Sequence, residues 1–267
     1  MDLELEGKAA LVTGGSKGIG KAIARALAQE GVDVAIAART QETLEATAAE
    51  LAAETGRRIL PIVCDTGSTA AVNAMVASVV EQLGGLDILV NNAARPGGGP
   101  GPVPPLEGIT DENFAEEMNT KVLGYLRCAR AAAPHLKANG WGRIINISGM
   151  GARQAGTAIG SMRNVAVSAL TKNLANELGP HGINVTVVHP GATWTERMPD
   201  LMETRAADQG ISVEEAMRRA SGGNAVGRFI DATEVAHVVA FLASPKSVAI
   251  TGDAIAAGGG VGNAIHY

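Results

Sequence analysis

The chain has 267 residues, which is enough for one large domain with its own core and short for two. Its formal net charge is −5 and no basic stripe is present, so neither nucleic-acid binding nor anionic-membrane binding is supported. Two isolated cysteines exclude a disulfide framework and a zinc site, and no metal site is predicted. Without a signal-peptide pattern or a membrane-spanning apolar run, a cytoplasmic location is expected.

Short apolar runs alternate with helical patterns along the whole chain. The runs predict strands at 9–13, 32–38, 58–64, 86–92, 142–148, 182–190 and 253–257. The intervening patterns predict helices at 20–31, 43–55, 70–83, 111–136, 160–178 and 231–243. Uninterrupted apolar strands are typical of sheets covered on both faces, and strand–helix repetition favours a doubly wound parallel sheet. The fold class is therefore predicted as α/β, with one domain over residues 1–267.

Two segments interrupt this repetition, and both follow predicted strands. Residues 95–108 are rich in Gly and Pro, and residues 193–227 form a long insertion. In open parallel sheets, ligands bind beyond the carboxyl ends of the strands, so both segments are candidate pocket walls. We interpret the second segment as a substrate loop. The alternative for the first segment is a surface loop, and the alternative for the second is a helical contact between subunits.

A glycine-rich stretch, "TGGSKGIG" at 13–20, follows the first predicted strand and begins the first helix. Glycines allow a tight turn and close approach of a pyrophosphate to the backbone, and a helix N-terminus offers N–H groups and the positive end of its dipole. A merely structural turn is the alternative. The predicted cradle comprises Gly14, Ser16, Lys17, Gly18, Ile19 and Gly20.

The second strand predicts the choice of cofactor. It ends in Ala37-Ala38-Arg39, without the acidic residue that would bind the ribose 2′-hydroxyl of NAD. The guanidinium of Arg39, with Lys17 from the glycine loop, suits a 2′-phosphate. NADP is therefore predicted in preference to NAD, unless both side chains are ordinary solvated cations.

The chain resembles the short-chain dehydrogenase/reductase family over essentially its whole length. The motifs that carry the resemblance are "TGGSKGIG", "CDT" (64–66), "NNAA" (91–94), "APHL" (133–136), "GRIINIS" (142–148) and "HPGATWT" (189–195). The resemblance implies a seven-stranded Rossmann fold, a homo-oligomer (tetramer or dimer), and a nicotinamide dinucleotide cofactor. Carried over by position, the residues expected along that cofactor are Asp65 and Thr66 (adenine), Asn91 and Ala93 (ribose and pyrophosphate), and Pro190, Gly191 and Thr193 (nicotinamide amide).

The proton relay implied by the resemblance consists of Ser, Tyr, Lys and Asn, and this chain departs from it. In the register set by "ALT" at 169–171, the tyrosine position falls on Gly160 and the lysine position on Asn164. Ser148 stands at or beside the serine position. The chain contains two tyrosines, one within a predicted helix and Tyr267 at the C-terminus, so no shift of register restores Tyr-x-x-x-Lys.

The asparagine position of the relay is also altered, because Lys121 occupies it. Lys and Asn therefore look exchanged across one pocket. We predict that the Lys121 ammonium reaches the site with Asn164 as its hydrogen-bond partner, where it holds the ribose or acts as an acid if burial lowers its pKa. The alternative is a helix residue whose ammonium extends to solvent.

Further polar residues could contribute to the site. His189 precedes the Pro-Gly turn and could titrate near neutral pH, or could be a hydrogen-bonded residue at a strand end. Arg153, Gln154 and Arg163 could bind an anionic substrate or CoA phosphates, or could serve surface and subunit contacts. Tyr267 could enter a neighbouring subunit's pocket.

The favoured function is an NADP(H)-dependent oxidoreductase acting on a small carbonyl or alcohol substrate with non-standard proton transfer by Ser148, Lys121 and Asn164. Hydride transfer belongs to the cofactor, so an altered proton relay slows turnover without preventing it. Two alternatives remain open at this point. One is a lyase- or hydrolase-like reaction on the same scaffold, and the other is a non-catalytic NADP-binding subunit of a hetero-oligomer.

Overall fold

The predicted parallel sheet is present in the computed structural model, which describes residues 1–94, 106–263 and 265. The strands are β1 (Ala9–Thr13), β2 (Asp33–Ala38), β3 (Ile59–Val63), β4 (Ile88–Asn91), β5 (Gly142–Ile147), β6 (Ile183–Pro190), β7 (Thr193–Trp194), β8 (Ile230–Asp231) and β9 (Ala254–Ala257). Seven of them form one parallel sheet in the order β3-β2-β1-β4-β5-β6-β9. The strand order reverses direction between β1 and β4, which confirms the doubly wound, Rossmann-type fold.

Helices cover both faces of this sheet. They are α1 (Gly18–Gln29), α2 (Gln41–Thr55), α3 (Thr69–Leu83), α4 (Asp111–Glu117), α5 (Gly124–Asn139), α6 (Ala158–Leu178), α7 (Met198–Gln209), α8 (Val213–Ser221) and α9 (Ala232–Ala243). Alternate residues along the strands enter two hydrophobic clusters, one with α1, α2 and α9 and the other with α3, α5 and α6. Burial on both faces explains why strands such as β1 and β2 read as apolar runs.

The helix predicted at 111–136 is interrupted, and in this respect the prediction was wrong. Between α4 and α5 the backbone forms a π-helical turn at Met118–Leu123. A π-turn inserts one residue into the helical repeat and rotates the side chains that follow, and such turns occur frequently at functional sites. Lys121 lies within this turn and is buried.

The insertion at 193–227 has secondary structure of its own. The two-residue strand β7 pairs in parallel with β8, a pairing too short for periodicity to predict. Helices α7 and α8 pack together around a separate cluster that includes Met202. Met198 and Met202 of this cluster line a cavity together with residues at the ends of β5 and β6, so the insertion lies at the carboxyl edge of the sheet. Among the described helices, none combines the length and apolarity needed to cross a membrane.

Candidate active site

Two connected cavities lie at the carboxyl edge of the sheet. The first, the glycine-loop cavity, has a volume of about 460 Å³ and is lined by residues that directly follow β1, β2, β3 and β4. The second, the lysine cavity, has a volume of about 480 Å³ and is lined by Lys121, by residues following β5 and β6, and by the insertion. Ile19, Asn92, Ala94 and Thr195 line both, so the two cavities adjoin. Together they occupy the switch point of the sheet.

The glycine loop is held against the end of β4. The Thr13 hydroxyl accepts the backbone N–H groups of Asn92 at 3.0 Å and Ala93 at 3.1 Å, and the Asn92 amide donates to the carbonyl of Gly14 at 3.1 Å. Gly14 has a φ of +67°, which favours glycine. A Cβ at Gly20 would lie 2.1 Å from the Gly14 carbonyl oxygen. The tight turn therefore leaves no room for side chains at these positions.

A carboxylate contacts the first turn of α1. The backbone N–H of Gly18 donates to Oε1 of Glu196 at 2.9 Å, whereas the N-cap residue Lys17 makes no side-chain cap. Unpaired N–H groups and the helix dipole make such an N-terminus attractive to anions. Glu196, from the insertion, thus occupies the position predicted for a pyrophosphate, and the sequence pattern did not indicate this contact.

Nine of the residues that the sequence analysis placed along the cofactor line the glycine-loop cavity, whereas Gly20 and Asn91 do not. The cavity is lined by Gly14, Ser16, Lys17, Gly18, Ile19, Arg39, Asp65, Thr66 and Ala93, all of which the sequence proposed, and also by Arg197. Gly20 lies behind the loop and is buried. Asn91 is fully buried, and its amide donates to Oδ1 of Asn146 at 2.9 Å. The neighbouring Asn92 lines the cavity in its place, because side chains alternate between the two faces of a strand.

The lysine cavity contains the predicted contact between Lys121 and Asn164. The Lys121 ammonium donates to Oδ1 of Asn164 at 3.1 Å and to the backbone carbonyl of Ser148 at 2.9 Å. Ser148 in turn donates its hydroxyl proton to the backbone carbonyl of Asn164 at 3.1 Å. All three residues line the cavity. The π-turn, the end of β5 and helix α6 therefore bring these groups to one place.

Burial changes the acidity of Lys121. The side chain is 4% exposed, and desolvation, together with the nearby Arg163 cation, lowers the pKa of its ammonium to about 7. Glu117 acts in the opposite direction and pairs with Arg163, so its effect is partly offset. A lysine with such a pKa can exchange a proton near neutral pH, as a general acid or base requires.

Among the described residues, no tyrosine lines the lysine cavity. Tyr125 is buried behind the site, its hydroxyl donates to the carbonyl of Ile147 at 2.8 Å, and burial raises its pKa. A Cβ on Gly160, the position that the resemblance aligns with tyrosine, would lie 2.4 Å from Oγ1 of Thr157, so a side chain there would displace this residue, which caps α6. Tyr267 lies outside the described residues.

Of the other polar residues that the sequence proposed for the site and that the structure describes, only Arg163 lines the lysine cavity. His189 is buried in β6, and burial with nearby cations lowers the pKa of its imidazole to about 4, so it is neutral and does not titrate near pH 7. Arg153 donates to the carbonyl of Ala254 at 2.7 Å. Gln154 lines neither cavity. Arg163, in contrast, lines the lysine cavity.

The turn after β6 forms one wall of the lysine cavity. Pro190, Gly191 and Thr193 line the lysine cavity, and the Thr193 hydroxyl donates to the carbonyl of Gly191 at 3.1 Å. Opposite them stand apolar side chains of the insertion, among them Met198 and Met202. A ligand in the lysine cavity would therefore contact both the polar cluster and an apolar wall.

The seven-stranded parallel sheet and the glycine loop at its switch point define an α/β protein of the Rossmann type. The profile of the family described as enoyl-(acyl carrier protein) reductase matches residues 14–262. The chain is 36% identical over 252 residues to the short-chain reductase protein NovJ of Streptomyces niveus, covering 94% of this chain and 92% of that protein. The chain belongs to the short-chain dehydrogenase/reductase family and is an oxidoreductase of that type.

Two solved structures extend the similarity to the whole fold. L-sorbose reductase from Gluconobacter frateurii, complexed with NADPH and L-sorbose, is 29% identical with a TM-score of 0.92, covering 99% of this chain and 100% of that one. A tryptophan variant of actinorhodin polyketide ketoreductase, with NADPH, is 36% identical with a TM-score of 0.89, covering 96% and 98%. Both similarities extend over nearly the whole of each chain.

Proposed function

We propose that this protein is an NADPH-dependent carbonyl reductase in which Lys121, rather than a tyrosine, transfers the proton. The observation that carries the proposal is the placement of the Lys121 ammonium in the lysine cavity, held by Asn164 and by the carbonyl of Ser148. Two of its three N–H groups donate to these oxygens, which leaves one N–H for a substrate oxygen. The proposal also agrees with the NADPH present in both similar structures.

The glycine-loop cavity fits a phosphorylated dinucleotide. Its glycines leave the backbone open, the N-terminus of α1 attracts anions, and Lys17, Arg39 and Arg197 line its wall. Lys17 and Arg39 are exposed, and no ion pair joins either to another described residue. When bound, the reduced nicotinamide supplies the hydride to the carbonyl carbon.

The chain's own residues orient the substrate and move the proton. Lys121 gives a proton to the carbonyl oxygen as the hydride arrives at carbon, so that an alcohol forms and a neutral amine remains. Asn164 and the Ser148 carbonyl keep the amine in place while it regains a proton from solvent. The hydroxyl of Ser148, fixed by its bond to Asn164, borders the same position.

The test is consumption of NADPH, followed by absorbance, with a panel of ketones and aldehydes. The proposal expects turnover of at least one carbonyl compound, faster with NADPH than with NADH. Tight binding of NADPH without turnover of any carbonyl compound contradicts it and favours non-redox chemistry on this scaffold.

Arg39→Leu is expected to weaken NADPH binding by ~10- to 100-fold, the usual worth of a charge-assisted contact of ~1.5–3 kcal/mol. NADH binding should hardly change, because NADH lacks the 2′-phosphate. Calorimetric titration with each cofactor measures the difference. Arg58→Leu is the matched control. Arg58 is exposed and precedes β3, whereas the glycine-loop cavity is lined by residues that follow this strand. Equal losses for NADPH and NADH would contradict the role given to Arg39.

A further inference from the structure

We infer that the substrate carries an anionic group, a carboxylate or a phosphate, in addition to its carbonyl. The inference rests on the proposed function and deepens it. The charged side chains that line the lysine cavity are Lys121, Arg163 and Arg205, and no carboxylate is among its described lining residues. The residues outside the described ranges contain no Asp or Glu in their sequence. A cavity with charges of one sign attracts ligands of the opposite sign.

Arg163 has a donor that lacks an acceptor. The side chain is 7% exposed, its Nη1 pairs with Glu117, and its Nε is buried without a hydrogen-bond partner among the described residues. Buried donors in native proteins nearly always have hydrogen-bond partners. A donor without a partner in the wall of a cavity therefore indicates that a ligand supplies the acceptor. Arg163 follows one turn after the empty tyrosine position, next to Asn164.

Arg205 supplies a second cation from the opposite wall. One face of α7 presents Met198, Leu201, Met202 and Arg205 to the cavity, at the i, i+3, i+4, i+7 spacing of neighbouring side chains. Arg205 is exposed, and no hydrogen bond or ion pair to a described residue engages it. The apolar residues of this face lie between the N-terminus of α7 and Arg205. The substrate class that fits is a keto acid, or a phosphorylated ketone, with an apolar portion.

The first experiment compares keto acids of increasing chain length with their methyl esters, and a phosphorylated ketone with its unphosphorylated form, in the NADPH assay. For at least one pair, kcat/KM should be ~10-fold or more higher for the anion, as for charged groups paired across a cavity. Arg205→Gln should raise KM for the anion by a similar factor and leave both the neutral partner and NADPH affinity unchanged. Arg130→Gln is the control, because Arg130 is exposed on α5, away from both cavities.

A binding measurement separates this inference from the proposed function. A saturated carboxylate, which cannot be reduced, should bind the NADPH-loaded protein more tightly than its amide, and the preference should weaken with added salt and in Arg205→Gln. The length of the carboxylate that binds best shows how far the anion site lies from the Lys121 ammonium. The comparison of phosphorylated and unphosphorylated ketones in the first experiment distinguishes a phosphate site from a carboxylate site. Equal binding of carboxylate and amide overturns the inference, whereas a reductase that prefers neutral ketones overturns it and leaves the proposed function intact.

The contact between Glu196 and Gly18 independently supports a second inference. We infer that the Glu196 carboxylate occupies the anion position of α1 in the free protein and must leave when a pyrophosphate enters. Glu196 lies between Thr195 and Arg197, both of which line the glycine-loop cavity. Arg197, next to Glu196 in the chain, lines the same cavity and can pair with the incoming phosphates.

Glu196→Ala is therefore expected to strengthen NADPH binding by ~3- to 10-fold, because a competing carboxylate and its repulsion are removed. Glu203→Ala, an exposed acid on α7, is the matched control and should change little. Calorimetry gives the affinities, and stopped-flow binding shows whether association becomes faster. Weaker or unchanged NADPH binding in Glu196→Ala overturns this second inference without affecting the assignment of the cofactor.

Discussion

Lys121→Met is expected to lower kcat for carbonyl reduction by ~10²- to 10⁴-fold, the usual contribution of a positioned acid. Methionine keeps an unbranched side chain of similar length in the buried space but provides no proton. The affinity for NADPH should remain within a few-fold of wild type, because Lys121 does not line the glycine-loop cavity. Steady-state kinetics and cofactor titration test these two expectations separately.

The dependence on pH gives a second readout of the same residue. The protonated form of Lys121, which acts as the acid, predominates below its pKa of about 7. The rate of carbonyl reduction should therefore be sustained below pH 7 and fall as pH rises through that value, and Lys121→Met should lack this basic limb. A merely structural lysine would change the rate without removing the limb.

The stability of the fold should increase with pH, whereas the rate of carbonyl reduction decreases. The pKa of Lys121 is lowered from 10.5 to about 7, so between these values the unfolded chain binds more protons than the native protein. The free energy of unfolding should therefore rise with pH across this window, by an amount on the order of a few kcal/mol for this group. Denaturant titrations of wild type and Lys121→Met at several pH values should show the difference shrinking as pH rises.

Lys137→Met provides the matched control for this substitution. Lys137 is exposed near the end of α5, on the helix that follows the π-turn, and should tolerate the change in both kinetics and stability. A wild-type kcat in Lys121→Met contradicts the proposed proton transfer. Loss of NADPH binding together with kcat would assign Lys121 to the architecture of the site instead.

Gly20→Ala is the second substitution with a large expected effect. A Cβ at this position would lie 2.1 Å from the Gly14 carbonyl oxygen and 2.5 Å from Nδ2 of Asn92, so the loop must move. Overpacking of this kind costs ~1–3 kcal/mol, and since NADPH binding needs the same loop conformation, its Kd should rise by ~10- to 100-fold. Calorimetric titration with NADPH measures this loss.

Gly179→Ala is the control for Gly20→Ala. No atom lies within 4 Å of a Cβ built at Gly179, and its φ of −53° suits alanine. This variant should bind NADPH like wild type and keep its thermal stability. If Gly20→Ala binds NADPH with wild-type affinity while remaining folded, the glycine loop is not the cofactor cradle.

Local patterns in the sequence determined the strands, the wound sheet and the glycine loop. Buried strands such as β1 and β2 carry apolar residues on both faces, and this composition is visible without knowledge of their neighbours. The glycine spacing at 14, 18 and 20 likewise reflects a local steric demand, as the contact of a Cβ at Gly20 shows. The hypothesis that Lys121 and Asn164 are exchanged came instead from the resemblance to the family, which supplied the expected motif positions.

The tertiary structure decided which polar side chains enter the cavities. Asn91 and Asn92 are adjacent residues of the same type. Asn91 lies in the core and bonds to Asn146, whereas Asn92 bonds to the glycine loop. The short β7–β8 pairing and the contact of Glu196 with Gly18 join residues far apart in the chain, and no local pattern specifies either. The π-turn directs the Lys121 ammonium to Asn164, and only that burial lowers its pKa. Periodicity reports the average face that an element buries, whereas the partner and solvation of a single polar group depend on the packing of several elements at once.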